Sequence, residues 1–294
     1  MKLPTYISVA AALSIDSVYG AEDTAKFGKY VSSILKSEDT SCKCGNGKAK
    51  IWGPGGPHTA LIPAARLFND QEQQETEIEI CYGPESTWRS EAMKCAAGLM
   101  TAAEQQTAGF IRTYEDILDT SGGYSSIGAP LTLHKTVLLV PAGNPKGITD
   151  IDDLLDRDDV GMVVVDGNYH GTLTSGTALW EDVVGRLGNL DDFTNLRSKI
   201  CYVASGAGDA RNQLLDAENT GCDAWIYWED WAVANPDIIE AIDLPPDLEI
   251  IRDVSVIPTT NAGGSIVNDF INYALTSKDA SDAMEEAGYS RDFN

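Results

Sequence analysis

Histidine, methionine and basic residues are scarce in this chain. Its 294 residues hold three histidines, five methionines and 21 lysines plus arginines, against 45 aspartates and glutamates, a formal net charge of −24. Nucleic acid and anionic membrane surfaces are excluded as partners, because binding phosphate polymers needs a basic footprint. A small anion is not excluded, since one local site can oppose the net field. Beyond the N-terminus no segment approaches 18 continuous apolar residues, so no membrane span is expected. Nucleotide and hydrolase signatures are missing as well. There is no Gly-Lys-Ser/Thr ending to a phosphate loop, no G-x-S-x-G elbow and no H-E-x-x-H helix. The histidines, His58, His134 and His170, sit in three unrelated contexts. No catalytic residue, metal or cofactor is therefore expected.

Apolar residues make up 43% of the chain, enough for one large domain or two of ordinary size. The acidity itself reads as a solvated surface that favours solubility. The first twenty residues read as a signal peptide. Lys2 precedes an apolar run over 6–15, and Val18-Tyr19-Gly20 offers small residues for cleavage near Gly20. The protein is then secreted or periplasmic, without direct membrane insertion, and a monomer. Residues 21–48 form a polar N-terminal extension.

Six cysteines suit an oxidising compartment. Cys201 opens one strand pattern and Cys222 precedes the next, which makes them the best intradomain pair. Cys42, Cys44, Cys81 and Cys95 then pair among themselves. Cys42-Lys43-Cys44 resembles half of a zinc site, but no matching second half follows.

Hydrophobic periodicity places strands near 49–52, 77–82, 135–140, 161–166, 200–203, 223–227 and 250–257. Helical patterns lie between them, near 59–68, 150–155, 177–187 and 209–218, with a last one over 266–275. Strands alternating with helices imply an α/β protein with parallel sheet, in two lobes.

Four strand-to-helix turns could carry chemistry. Gly53-Pro54-Gly55-Gly56-Pro57-His58-Thr59 brings bare backbone, free N–H groups and the positive end of a helix to one place. The same turn would also serve as a plain connection. Ser86, Thr87 and Trp88 follow the second strand, and Ser175, Gly176 and Thr177 precede another helix. Ser205-Gly206-Ala207-Gly208-Asp209 leads to Arg211, the third residue of its helix, which could hold a carboxylate or oxyanion through a guanidinium fork. In open α/β sheets such turns converge at the carboxyl ends of the strands. Trp225 and Tyr227 share one strand face and could wall a cleft or fill a core.

Taken in order, IWGPGGPHTAL (51–61), YGPESTW (82–88), AAEQQ (102–106), HKTVLLVPAGNPKGITDIDDLL (134–155), VVVDGNYHGTLTSGTALWEDVVGRLGN (163–189), SGAGDAR (205–211) and DAWIYWEDWAVANPD (223–237) resemble the type II periplasmic substrate-binding proteins, the molybdate- and sulfate-binding-like class. Within that class the chain is most similar to the accessory colonization factor AcfC group.

The resemblance implies a two-lobed clamp, each lobe a mostly parallel sheet flanked by helices, with residues 49–132 plus 254–294 as lobe 1 and 133–253 as lobe 2. The chain would cross between lobes near 131–135 and 252–256. The implied function is capture of a small anion, a carboxylate or a tetrahedral oxyanion such as sulfate or molybdate, for a membrane transporter or receptor. The implied contacts are Gly55, Gly56, Pro57, His58 and Thr59, then Ser86, Thr87 and Trp88, then Ser175, Gly176 and Thr177, with Arg211 as charge partner. The chain departs from the group before AAEQQ, where Cys95-Ala96-Ala97-Gly98-Leu99-Met100-Thr101 replaces an acidic-apolar-apolar strand. A chemosensory or colonisation interaction protein, or an enzyme on the same scaffold, is the alternative.

Overall fold

A mixed sheet runs through the molecule and changes partners midway along its longest strand. The computed structural model describes residues 42–71, 76–83, 85–101, 111–112, 114–124, 128–165, 179–204, 206–261 and 263–293, the side chains at 85 and 86 excepted. The expected signal peptide and most of the N-terminal extension lie outside them.

The first part of the sheet is built by β1 (Ala49–Gly53), β2 (Ile78–Tyr82) and β3 (Ala96–Met100), with β1 parallel to both neighbours. Helix α1 (His58–Asn69) connects β1 to β2, and α2 (Glu85–Cys95) connects β2 to β3. All five β1 residues are buried, as both faces of a parallel strand are covered. The apolar spacing of α1 buries Leu61, Ile62, Ala65 and Phe68 as the sequence predicts. A short helix, α3 (Glu115–Thr120), closes this core beside Trp88.

Strand β4 (Ala129–Pro141) is longer than its 135–140 apolar run predicts. Its first half pairs antiparallel with β9 (Ile251–Pro258), from Ala129↔Val256 to Lys135↔Ile251. Its second half pairs with β7 (Ala224–Trp228) on one side and β8 (Ile239–Asp243) on the other. Strand β9 continues to β3, so two strands carry the sheet from one lobe to the other.

The second lobe adds β5 (Met162–Val165) and β6 (Ile200–Ala204), in the order β7-β5-β6, all parallel. Around it lie α4 (Ile151–Asp156), α5 (Leu179–Gly185), α6 (Leu190–Ser198), α7 (Ala207–Leu215), α8 (Ala217–Thr220) and α9 (Asp230–Val233). The chain ends on α10 (Gly264–Thr276) and α11 (Lys278–Glu286); α10 packs on the β1, β3 and β9 strands and both helices on α1. This is a two-lobed α/β clamp, as expected. Each lobe has a three-strand parallel centre, and antiparallel strands join the two.

The cysteines pair as expected. Cys42–Cys81 and Cys44–Cys95 tie residues 42–48 to β2 and α2, and Cys201–Cys222 joins the starts of β6 and β7. That last pair is possible because β6 and β7 flank β5 in parallel, so their starts lie at one end of the sheet. Gly161 fits beneath it, where a Cβ would come 2.1 Å from the Gly221 carbonyl oxygen. Cys42, Glu79 and Cys81 bring ligand atoms within 4.8 Å of one another, but both sulfurs are held in the disulfide. Among the described residues no helix is long and apolar enough to cross a membrane.

Candidate functional site

The turn from β1 to α1 forms the centre of the candidate site. At Gly53 a Cβ would lie 2.5 Å from the Met100 carbonyl oxygen, so only glycine lets β1 and β3 approach this closely where the turn begins. Gly55 and Gly56 differ: a Cβ on either would meet nothing within 4 Å. Packing does not require glycine there, and the backbone lies bare beside open space. Pro57 precedes α1 and makes no side-chain cap, so among the described residues the first N–H groups of the helix have no capping side chain and can serve another acceptor.

His58, the first residue of α1, is 8% exposed. Its Nδ1 bonds the Gly55 carbonyl oxygen, and its ring stacks on Tyr82 with centroids 3.9 Å apart. Nε2 is shielded from solvent and has no hydrogen-bond partner among the described residues. Burial pushes the imidazole pKa down to about 4, against smaller opposing effects from the Gly55 carbonyl and the Asp230 charge. The ring is therefore neutral near pH 7.

Thr59 reaches across the fold. Its Oγ1 lies 2.8 Å from the Tyr289 hydroxyl, which donates to the Gly56 carbonyl oxygen at 3.1 Å. Tyr289 is held in a C-terminal segment that returns beside β4: Leu133 N–H donates to the Ser290 carbonyl at 2.7 Å, and Ser290 N–H to the Leu133 carbonyl at 2.9 Å. Gly288 makes this route possible. With φ at 88° it adopts a left-handed conformation, and a Cβ there would lie 3.1 Å from Asp230 Cα and 2.9 Å from Val233.

Four residues that the sequence did not mark complete this cluster. His134, on β4, stacks on Trp228 at 3.9 Å and on Tyr289 at 5.3 Å, and its Nδ1 lies 3.2 Å from Asp230 Oδ1. Trp228 is the last residue of β7, and its buried Nε1 has no acceptor among the described residues. Trp228 and Asp230 stand in the aromatic-acidic DAWIYWEDW tract, a visible signal whose orientation was not readable. Tyr289 sits in no local motif at all.

Arg211 is half-buried on α7. The helix begins at Ala207, two residues before the sequence-based start, so Arg211 is its fifth residue rather than its third. Among the described residues its Nε is shielded and unpartnered, and Nη1 bonds Asn212 Oδ1 at 3.3 Å. Burial lowers its pKa, and no carboxylate opposes that effect. Among the described residues this half-buried guanidinium has no carboxylate partner, although the chain is rich in them.

The remaining expected contacts are placed as follows. Trp88 is a core residue of the first lobe, and its indole N–H donates to the Gly83 carbonyl at 2.9 Å. Thr87 is exposed at the start of α2, and the side chain of Ser86 is outside the described residues. Trp225 and Tyr227 stack on each other at 4.3 Å within the core of the second lobe. Ser175, Gly176 and Thr177 lie outside the described residues, as do 102–110.

Two lobes joined by paired strands, with a bare helix start beside the junction, define a clamp-type binding protein. The profile of the bacterial extracellular solute-binding protein family matches residues 49–290, and the chain belongs to that family. PEB3 from Campylobacter jejuni is 32% identical, with a TM-score of 0.68 over 83% of this chain and 100% of that one. PEB3 has also been solved with L-phospholactate bound, with a TM-score of 0.69 to this chain. The sulfate-binding protein SubI from Mycobacterium tuberculosis shares the fold at 17% identity and TM-score 0.63, covering 82% of this chain and 86% of its own. The periplasmic molybdate-binding protein of Azotobacter vinelandii does so at 15% and 0.54, covering 82% and 98%. Comparison with curated proteins gave no match.

Proposed function

We propose that this protein captures a small anion between its lobes outside the cytoplasm and presents it to a membrane transporter or receptor. Lobe 1 would comprise 49–132 and 254–294, and lobe 2 133–253, after removal of a signal peptide near Gly20. The pairing of β4 with β9 across 129–135 supports this division, since strand pairs shared by two lobes can act as a hinge.

Arg211 carries the reading. A half-buried guanidinium with a shielded, unpartnered Nε is costly until an oxyanion or carboxylate meets it. The uncapped start of α1 beside Gly55 and Gly56 supplies N–H donors of the same polarity. The phospholactate ligand of PEB3 joins a phosphate to a carboxylate, the two chemistries these donors suit. Binding rather than turnover is favoured by membership of an extracellular solute-binding family.

A thermal-shift screen of phosphate, phospholactate, sulfate, molybdate and small di- and tricarboxylates, followed by calorimetric titration, tests the proposal. At least one anion should raise the melting temperature in proportion to its occupancy. Stabilisation by a neutral sugar or a cation alone would overturn it.

A further inference from the structure

We propose that the anion carries a proton and that His58 Nε2 accepts it, so that the site selects monohydrogen phosphate or a phosphomonoester over sulfate and molybdate. This rests on the anion-binding reading above and names the ligand class of that same site. The first step is the tautomer. Nδ1 of His58 faces the Gly55 carbonyl oxygen, which can only accept a hydrogen bond, so Nδ1 carries the hydrogen. In the neutral ring Nε2 is then a bare lone pair, an acceptor rather than a donor.

The second step is environment. Nε2 is shielded from solvent, and no group among the described residues donates to it. A buried acceptor left without a donor is unfavourable, and a ligand O–H would relieve it. His58 opens α1, whose uncapped N–H groups draw an anion to the same place.

The third step is charge. The titratable groups around the ring are Tyr82, stacked on it, Asp230, whose charge it feels, and His134 and Tyr289, which pack about Asp230 and Thr59. No cation stands among them. An oxyanion without a proton would set its oxygen against the Nε2 lone pair, with a carboxylate close by. One proton between oxygen and nitrogen turns that repulsion into a hydrogen bond. Sulfate and molybdate have none near neutral pH, whereas a phosphomonoester has its second pKa near 6. The proton can rest on the ligand oxygen or on Nε2. For a phosphomonoester, whose dianion has no O–H, the complex either way holds one more proton than the free protein and the dianion together, whereas monohydrogen phosphate, itself a dianion, brings its own O–H.

Calorimetric titration of the whole protein with inorganic phosphate, phospholactate, sulfate and molybdate, at pH 6.5 and 8.5, tests this. Each titration is run in two buffers of different ionisation heat. Phosphate, phospholactate or both should bind at least about tenfold tighter than sulfate or molybdate, and for phospholactate at pH 8.5 buffer-dependent heats should report uptake of up to one proton. Affinity for phospholactate should fall toward pH 8.5, by up to about tenfold per unit, the limit for one linked proton, whereas affinity for inorganic phosphate, whose dianion keeps its O–H, should not fall. The two phosphate arms separate the free ion from its ester. His58→Asn keeps an amide donor for Gly55 and removes the acceptor; it should bring phosphate-class affinity down to the sulfate level. His58→Gln, with an acceptor nearer the Nε2 position, should restore part of it, and melting curves confirm that both fold. Equal binding of sulfate or molybdate without proton uptake, or undiminished selectivity in His58→Asn, would overturn the proposal while leaving anion binding intact. If no anion binds, the underlying reading fails and this inference falls with it.

Discussion

Thr59 Oγ1 and the Tyr289 hydroxyl lie 2.8 Å apart although 230 residues separate them in sequence. The C-terminal segment therefore braces the first-lobe turn. Its route past Asp230 and Leu133 puts three distant parts of the chain in contact at the junction of the lobes.

Removing that brace has a defined cost. Tyr289→Phe keeps the ring against His134 but deletes the hydroxyl that bonds Gly56 and Thr59. Urea denaturation should show a loss of about 1 kcal/mol, the usual net value of one hydrogen bond. Anion affinity should fall as well, because the bare backbone at Gly55 and Gly56 loses its fixed geometry.

Arg211 should behave in the opposite way. Its guanidinium is partly desolvated and pairs with no carboxylate among the described residues, so Arg211→Met should leave the ligand-free melting temperature unchanged or slightly raised. Anion affinity should drop at least about tenfold, the scale of a charged hydrogen bond. Equal losses of stability and binding would point to a purely structural residue.

Acid should destabilise the fold through His58. Its pKa is lowered from 6.5 to about 4, so folding favours the neutral ring. This contribution is fully present above pH 6.5, shrinks as pH falls because the unfolded chain takes up the proton first, and levels off below about pH 4. The total is about 3 kcal/mol. Denaturation midpoints between pH 7 and 4 should flatten in His58→Gln relative to the parent.

The disulfides should divide by loop length. Cys201–Cys222 spans 21 residues and Cys44–Cys95 spans 51. Chain-entropy arguments assign them about 3 and 4 kcal/mol. Double Cys→Ala variants of each pair should lower the melting temperature in that order.

The net charge of −24 adds a kinetic expectation. A chain this acidic repels anions at long range, and salt screens the repulsion over about 10 Å at 0.1 M. Stopped-flow association rates for an anion should therefore rise with ionic strength, opposite to the trend for a basic protein.

Much of the fold was legible. The β1–α1–β2 unit, the β5 run and the last strand-helix pair stand where apolar periodicity places them. The elements it missed lack that signal. β3 is Ala-Ala-Gly-Leu-Met, too small to read as a strand, and is held there by β1 and β9. In α6 only Leu196 is buried, so no apolar stripe marks it. α11 buries Ala280, Ala283 and Met284, a face too short in side chain to announce itself.

The candidate site was legible only in part. The glycine turn, His58, Thr59 and Arg211 announce themselves by residue type and position. Trp225 and Tyr227 drew attention as aromatics, yet they stack within the second core, while their neighbour Trp228 faces His134. Alternation along a strand assigns residues to opposite faces without saying which face meets the junction.

By itself the sequence determined the α/β class, the order of most elements, the family motifs and the division of the cysteines into a Cys201–Cys222 pair and a group of four, whose pairing it left open. Each of these depends on residues close in the chain or on periodicity that reports burial. Tertiary structure alone decided that Thr59 meets Tyr289, that Asp230 lies against His134 with its charge felt at His58, and that Nε2 of His58 has no donor among the described residues. Those relationships depend on strand order and register over separations of 96 to 230 residues, which no local pattern encodes.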